Sequence, residues 1–227
     1  MRPLRYLAMA FDPRHWDDDR LHSLVVQAAM PIAYRTDRLI VMVTDTGEVN
    51  RNPIGDGVTI GKIFRKKGSN PKSPSGMRQN ARSSEELISN FWGSYVHVAD
   101  GPTGVVILRD PSGGLPCYQV AGTGFAAFAS DAPLLVSAGL LRPSVDLEVV
   151  GQTLYFSQLP RVETAIAGIK QLLPGHMLTW DGQREEISQH WNPWSHVETD
   201  FSKSTAERSD RSCPSRWCKF GVGHGSS

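Results

Sequence analysis

Cysteine is scarce. Three occur in 227 residues, Cys117, Cys213 and Cys218. So few, and an odd number, exclude a disulfide scaffold and point to reduced thiols in a cytoplasmic setting. Long apolar runs are absent too, and nothing approaches the roughly 18 residues that span a bilayer. Net charge is nearly absent, at +1, which argues against a dedicated nucleic-acid binder. The N-terminus, MRPLRYLAMAFDPRHW, has two early arginines and a short apolar stretch. It lacks a small-residue cleavage site, so no signal peptide is read. What is present is a 40% apolar fraction, enough to build a packed core over most of the length.

Periodicity locates the elements. Leu4 to Phe11 is an apolar strand, stopped by Asp12-Pro13. Asp17 to Met30 is a helix, with three aspartates at its N-terminal end and Leu21, Leu24, Val25 and Ala28 on one stripe. Leu39 to Val43 and Val58 to Phe64 are further strands. Ser83-x-x-Glu86 makes a capping box for a short helix through Asn90. Phe91–Val98, Val105–Arg109, Cys117–Ala121 and Gly124–Ala129 follow as a meander of antiparallel strands. Helices are expected after Ser130-Asp131 and after Asp146, and a late strand over Gly175–Trp180. Strands without regular βαβ alternation predict an α+β fold with antiparallel sheets.

Acid is missing from one long stretch. Gly57 to Ser84 holds seven Lys or Arg and no Asp or Glu. Within it, 65–82 reads as a mobile basic surface loop, able to meet an acidic partner or a phosphate. The organisation expected is a domain over 1–183, a linker over 184–198, and a tail over 199–227 that has no apolar period of either kind. His190, Trp191, Trp194 and His196 fall in that linker. Cys213-x4-Cys218 with His224 is too loosely spaced for a zinc site, and no metal is expected.

Four segments in order carry a resemblance. They are FWGSYVHVAD with Trp92 and Gly93, VVILRDPSGGLPCYQV with Arg109, Asp110, Gly113 and Pro116, FAAFASDAPLLVSAG with Ser130 and Asp131, and TAIAGIKQLLPGHMLTW with Pro174 and Gly175. Together, over Phe91 to Trp180, they resemble the N-terminal glutaminase domain of the asparagine synthetases, class II glutamine amidotransferases. Within that group the pattern looks most like the synthetase homologues that close lasso peptides. The resemblance implies a four-layer αββα sandwich of the N-terminal-nucleophile hydrolase type. It also implies a structural role for Arg109 and Asp110, which would fix a hairpin at the sheet edge by planar hydrogen bonds.

The same resemblance shows what is missing. The family nucleophile is a cysteine directly after the initiator methionine, with its own α-amine as base. Here that position is Arg2, so no catalytic residue is assigned. Cys117 follows the Arg-Asp hairpin on an apolar strand and is taken as a core residue; whether His97 approaches it, sequence alone does not show. Gly61-Lys62 stands where an Asn-Gly-Glu turn would supply the oxyanion donor, and no asparagine is present. The Ser-Asp-x-Glu segment that clamps glutamine has only Ser83-Ser84-Glu85-Glu86 near its place. Amide ligation in the family uses ATP and Mg on a separate domain with a Ser-Gly-Gly-x-Asp-Ser loop. Ser112-Gly113-Gly114 is not that loop, because it opens no helix. The expectation is a truncated or frame-shifted synthetase-like chain, without cofactor and inactive alone. The alternative is a stand-alone module that holds a peptide or other acidic partner.

Overall fold

Twelve strands pair into two six-stranded sheets in the computed structural model, which describes residues 3–51, 57–66, 86–156 and 161–196. Contacts divide the chain into Met1–Trp191 and Asn192–Ser227. In the second, the described residues form a 3-10 turn over Pro193–His196, with Trp194 N donating to Asn192 Oδ1.

The first sheet takes β1 (Tyr6–Phe11), β2 (Ile32–Arg35), β3 (Leu39–Val43), β8 (Tyr118–Gly122), β9 (Phe125–Ala129) and β10 (Lys170–Gln171). Its order is β10-β8-β9-β1-β3-β2. The second takes β4 (Val49–Arg51), β5 (Val58–Arg65), β6 (Phe91–Gly101), β7 (Gly104–Arg109), β11 (His176–Trp180) and β12 (Glu185–Gln189), in the order β12-β11-β7-β6-β5-β4. Every pairing is antiparallel. The α+β class with antiparallel sheets is therefore the fold.

Layering follows from side-chain parity along each strand. Tyr6, Ala8 and Ala10 of β1, with Val41 and Phe128, face Val58, Ile60, Val96, Val98 and Ile107 across the inter-sheet core. The other parity of β1, Leu7, Met9 and Phe11, packs on helix α1 (Asp18–Ala28) and helix α2 (Ala132–Ser137) through Leu21, Leu24, Leu134 and Leu135. That double burial explains why β1 and β3 are apolar at every position. The outer face of the second sheet, Val106, Leu108 and Met177, is covered by Leu87 and Ile88 from a helical segment at 86–90. Helix α3 (Leu147–Tyr155) is capped by Asp146, whose side chain accepts from Val149 N.

The meander differs from expectation. β6–β7 is a hairpin of one sheet and β8–β9 a hairpin of the other. Residues 110–117 do not turn a hairpin between adjacent strands; they carry the chain from one sheet to the other. The expected linker 184–198 begins inside the second sheet, since β12 pairs with β11 from Glu185↔Trp180 to Gln189↔His176. Short strands β2, β4 and β10 carry too few residues to show a period. The basic stretch 67–82, the Ser83–Glu85 part of the capping box and the 199–227 tail lie outside the described residues.

Candidate functional site

The head of β1 is pinned from both sides. Arg5 N donates to Thr44 Oγ1 at 2.9 Å, and Thr44 Oγ1 donates back to Arg5 O at 3.3 Å. The Arg5 guanidinium reaches Asp131 through Nε at 2.9 Å and Nη2 at 2.8 Å. Asp131 also caps α2 by accepting from Leu134 N, and takes a hydrogen bond from Ser130 Oγ. Its carboxyl is held below its ordinary range, first by the Arg5 hydrogen bonds. Ser130 and Asp131 thus fix the entry to β1.

That entry opens into a cavity of about 1050 Å³. Its described lining includes Pro3, Leu4 and Arg5 from the head of β1, Thr44, Asp45 and Glu48 beyond β3, and Gly61, Lys62, Ser94 and Leu115. None is a cysteine or a histidine. Ile60, next to Gly61, is fully buried in the inter-sheet core and offers no donor. Gly61 and Lys62 lie within β5 rather than on a turn, paired with Tyr95 and Ser94. At φ +100° Gly61 is in a region closed to most side chains, and a Cβ there would strike the Ser94 carbonyl oxygen.

A second group of sequence-predicted residues gathers at the inter-sheet crossover. Arg109 is 4% exposed and spends its guanidinium on three carbonyls: Leu115 O at 3.0 Å, Leu172 O at 2.7 Å and Gly113 O at 2.8 Å. Asp110 accepts from Tyr95 N at 3.1 Å and Ser112 N at 2.9 Å. Burial raises its carboxyl above the usual range. Gly113 sits against Pro174, Gly175 N donates to Arg109 O, and Pro116 O accepts from Tyr6 Oη at 2.8 Å. Ser112 Oγ donates to Gly93 O at 2.8 Å. The hydrogen bonds of this pair therefore go to backbone groups from β6, from 112–115 and from Leu172. They tie both sheets to the crossover.

Cys117 and His97 do not meet. Cys117 belongs to the inter-sheet core. His97 alternates with Val96 and Val98, which face that core, and so points to the opposite face. Burial pushes the Cys117 thiol up to about 11, so little thiolate exists near neutrality. Burial likewise pulls His97 down to about 4, while its Nδ1 lies 3.1 Å from Val58 O.

Trp92 lies elsewhere, on the β5–β6 ribbon, 57% exposed and with its ring centroid 4.8 Å from that of Phe64. Sequence reasoning missed Arg5, Thr44, Ser94 and Leu115 at the cavity. Arg5 was the one with a signal, a cation one residue before a wholly apolar strand. Among the described residues no group of three or more His, Cys, Asp or Glu could hold a metal. No described helix is long and apolar enough to cross a membrane.

Comparison with known proteins bears on these residues. No curated protein matches the chain. Among solved structures it is similar to the glutamine phosphoribosylpyrophosphate amidotransferase from B. subtilis complexed with ADP and GMP, at 11% identity and a TM-score of 0.43. It is similar also to a structure described as the allosteric regulatory enzyme of purine biosynthesis, at 11% identity and a TM-score of 0.42. Each likeness covers 82% of this chain and 49% of the other, so the chain spans about half the length of either. Residues 78–191, half of the chain and including the crossover with Arg109 and Asp110, match the glutamine amidotransferase domain family, to which this protein belongs.

Proposed function

We propose that this glutamine amidotransferase domain does not hydrolyse glutamine, and that it supports an ATP-dependent amide-forming activity of the asparagine-synthetase type, most like the proteins that close lasso peptides. The observation that carries the first part is the cavity at the head of β1. Attack on a carboxamide needs a nucleophile, a base within hydrogen-bond reach and a donor for the oxyanion. Pro3, Leu4 and Arg5 enter the cavity without a thiol, and among the described residues no imidazole lines it. Where the resemblance expects Asn-Gly-Glu, the strand carries Ile60-Gly61-Lys62. A buried apolar side chain replaces the donor, and a cation replaces a carboxylate. Cys117 is buried, protonated and faces the core.

The second part rests on the four collinear segments. The amide-forming step belongs to a synthetase domain that uses ATP and magnesium in the cytosol. Ser112-Gly113-Gly114 leads into β8 rather than a helix, and Ser112 Oγ is spent on Gly93 O.

The test is ammonia and glutamate release from glutamine by purified chain, beside its Cys117→Ala and Ser94→Ala variants. No release above the buffer rate is expected. Turnover abolished by either substitution would overturn the proposal.

A further inference from the structure

Helix α3 has its sides reversed. A helix on the surface of a globular domain turns its apolar stripe inward and its polar face to water. Leu147, Val150, Gly151, Leu154 and Tyr155 fall at i, i+3, i+4, i+7 and i+8, one continuous face whose only polar side-chain atom is the Tyr155 hydroxyl. Yet the residue buried beneath the helix is Val149, from the opposite side. Leu147 is 78% exposed, Leu154 81% and Tyr155 84%. Val145 before the helix and Phe156 after it are 67% and 50% exposed, and the Phe156 ring lies edge-on to Tyr155 with centroids 5.2 Å apart. One fully buried side chain does not hold a nine-residue helix, which is shorter than helices that are stable alone in water. The outward face is the one that needs cover. Its five large apolar residues expose roughly 600 Å², the upper limit for a patch on a monomeric protein.

We infer that a second copy of this chain covers the face, by an antiparallel contact of α3 with α3 about a twofold axis. The face is symmetric about Gly151, with Leu147 four residues before it and Tyr155 four after. An axis at Gly151 sets Leu147 of each copy against Tyr155 of the other, with Val150 and Leu154 beside it. A Cβ on Gly151 would meet nothing within 4 Å, so the glycine leaves a gap that its own chain does not fill. Two helices can approach closely there. Such an isologous contact closes after two copies. Charge agrees with this occupant. Glu148 lies at the rim of the face and accepts from Gln152 Nε2 at 3.3 Å. The axis places the two Glu148 carboxylates on opposite sides of the crossing, so like charges do not meet. A neutral face has nothing with which to select an acidic or a basic partner. Area agrees as well, since two copies together bury about 1,200 Å², the lower range of stable interfaces. The inference stands apart from glutamine hydrolysis, because none of these residues is among those lining the cavity at the head of β1.

The test is sedimentation-velocity ultracentrifugation of the full chain over about 1 to 100 μM. A reversible passage from monomer to dimer is expected. Leu154→Ser and Tyr155→Ser should each weaken it about tenfold. Gly151→Arg should abolish it while the melting temperature of the dilute chain holds or rises, because arginine is the better helix former and its Cβ meets open space. In a Cys213→Ser, Cys218→Ser background, Gly151→Cys should form an intermolecular disulfide under mild oxidation, and Glu148→Cys should not. A chain that stays monomeric over the whole range would overturn the inference. So would a dimer that survives Gly151→Arg, or a Gly151→Cys variant that fails to cross-link. Monomers that bind phosphatidylcholine vesicles through Leu154 and Tyr155 would overturn it too, with a lipid surface as the occupant.

Discussion

Arg109 shows how one side chain replaces a stretch of secondary structure. Residues 111–116 pass between sheets outside the strand ladders, so carbonyls such as those of Gly113 and Leu115 need other donors. A planar guanidinium supplies them in three directions, toward Gly113, Leu115 and Leu172. Arg109→Ala would leave three carbonyls unpaired around a cavity, and a loss of about 3–5 kcal/mol is expected in urea unfolding. Arg109→Lys should recover only part of it, because an ammonium cannot hold that fan of acceptors. His97 sets a pH dependence. Its folded value of about 4 lies below its ordinary 6.5, so between these the unfolded chain binds the extra proton. Stability is therefore full above pH 6.5 and falls as pH drops toward 4, by at most about 3 kcal/mol. Asp110 and Glu185, both raised by burial, act in the opposite sense just above the normal carboxylate range. The His97→Gln variant isolates the histidine contribution, and its melting temperature should vary less over this window than that of the parent.

At the scale of elements, the strands were legible wherever composition had to satisfy two buried faces. β1 and β3 are apolar throughout because helices cover one side and a sheet the other. Helix α1 was legible from its stripe and from Asp17, whose side chain accepts from Arg20 N; Asp17→Ala should cost about 1 kcal/mol. The crossover was not legible. A Ser-Gly-Gly stretch between two apolar runs has the same local pattern whether the second strand joins the first sheet or another, and only Leu172 and Tyr95, distant in sequence, decide it. β12 was hidden for a different reason. Glu185–Gln189 is an edge strand whose one apolar residue, Ile187, is exposed, and so it shows no alternation to read. Gly61 was noticed for its place in a motif, but its conformation needed the structure. Gly61→Ala forces φ +100° on a residue with a Cβ and drives that Cβ into Ser94 O. A loss of about 2 kcal/mol or more is expected, measured as a lowered melting temperature.

At the scale of the molecule, the two sheets meet over a mainly apolar core that also holds the Arg109 guanidinium and Gln119, and the family's chemistry would be placed at one end of it, where β1 begins. The fold there is set by burial and by hydrogen bonds at the strand entry. Tyr6, Ala8 and Ala10 bury the strand, while Thr44 and Asp131 anchor Arg5. None of these interactions needs a nucleophile. The proposed absence of hydrolysis is therefore compatible with an intact cavity, since Ile60, Gly61 and Lys62 all keep their β5–β6 pairing. The most direct measurement is to treat native chain with a glutamine-shaped chloroketone, with and without glutamine, and map adducts by mass spectrometry of its peptides. The expected result is no glutamine-protected adduct on residues facing the cavity, with Cys117 alkylated only after unfolding. A glutamine-protected adduct on native chain, at Cys117 or at any residue lining the head of β1, would contradict it.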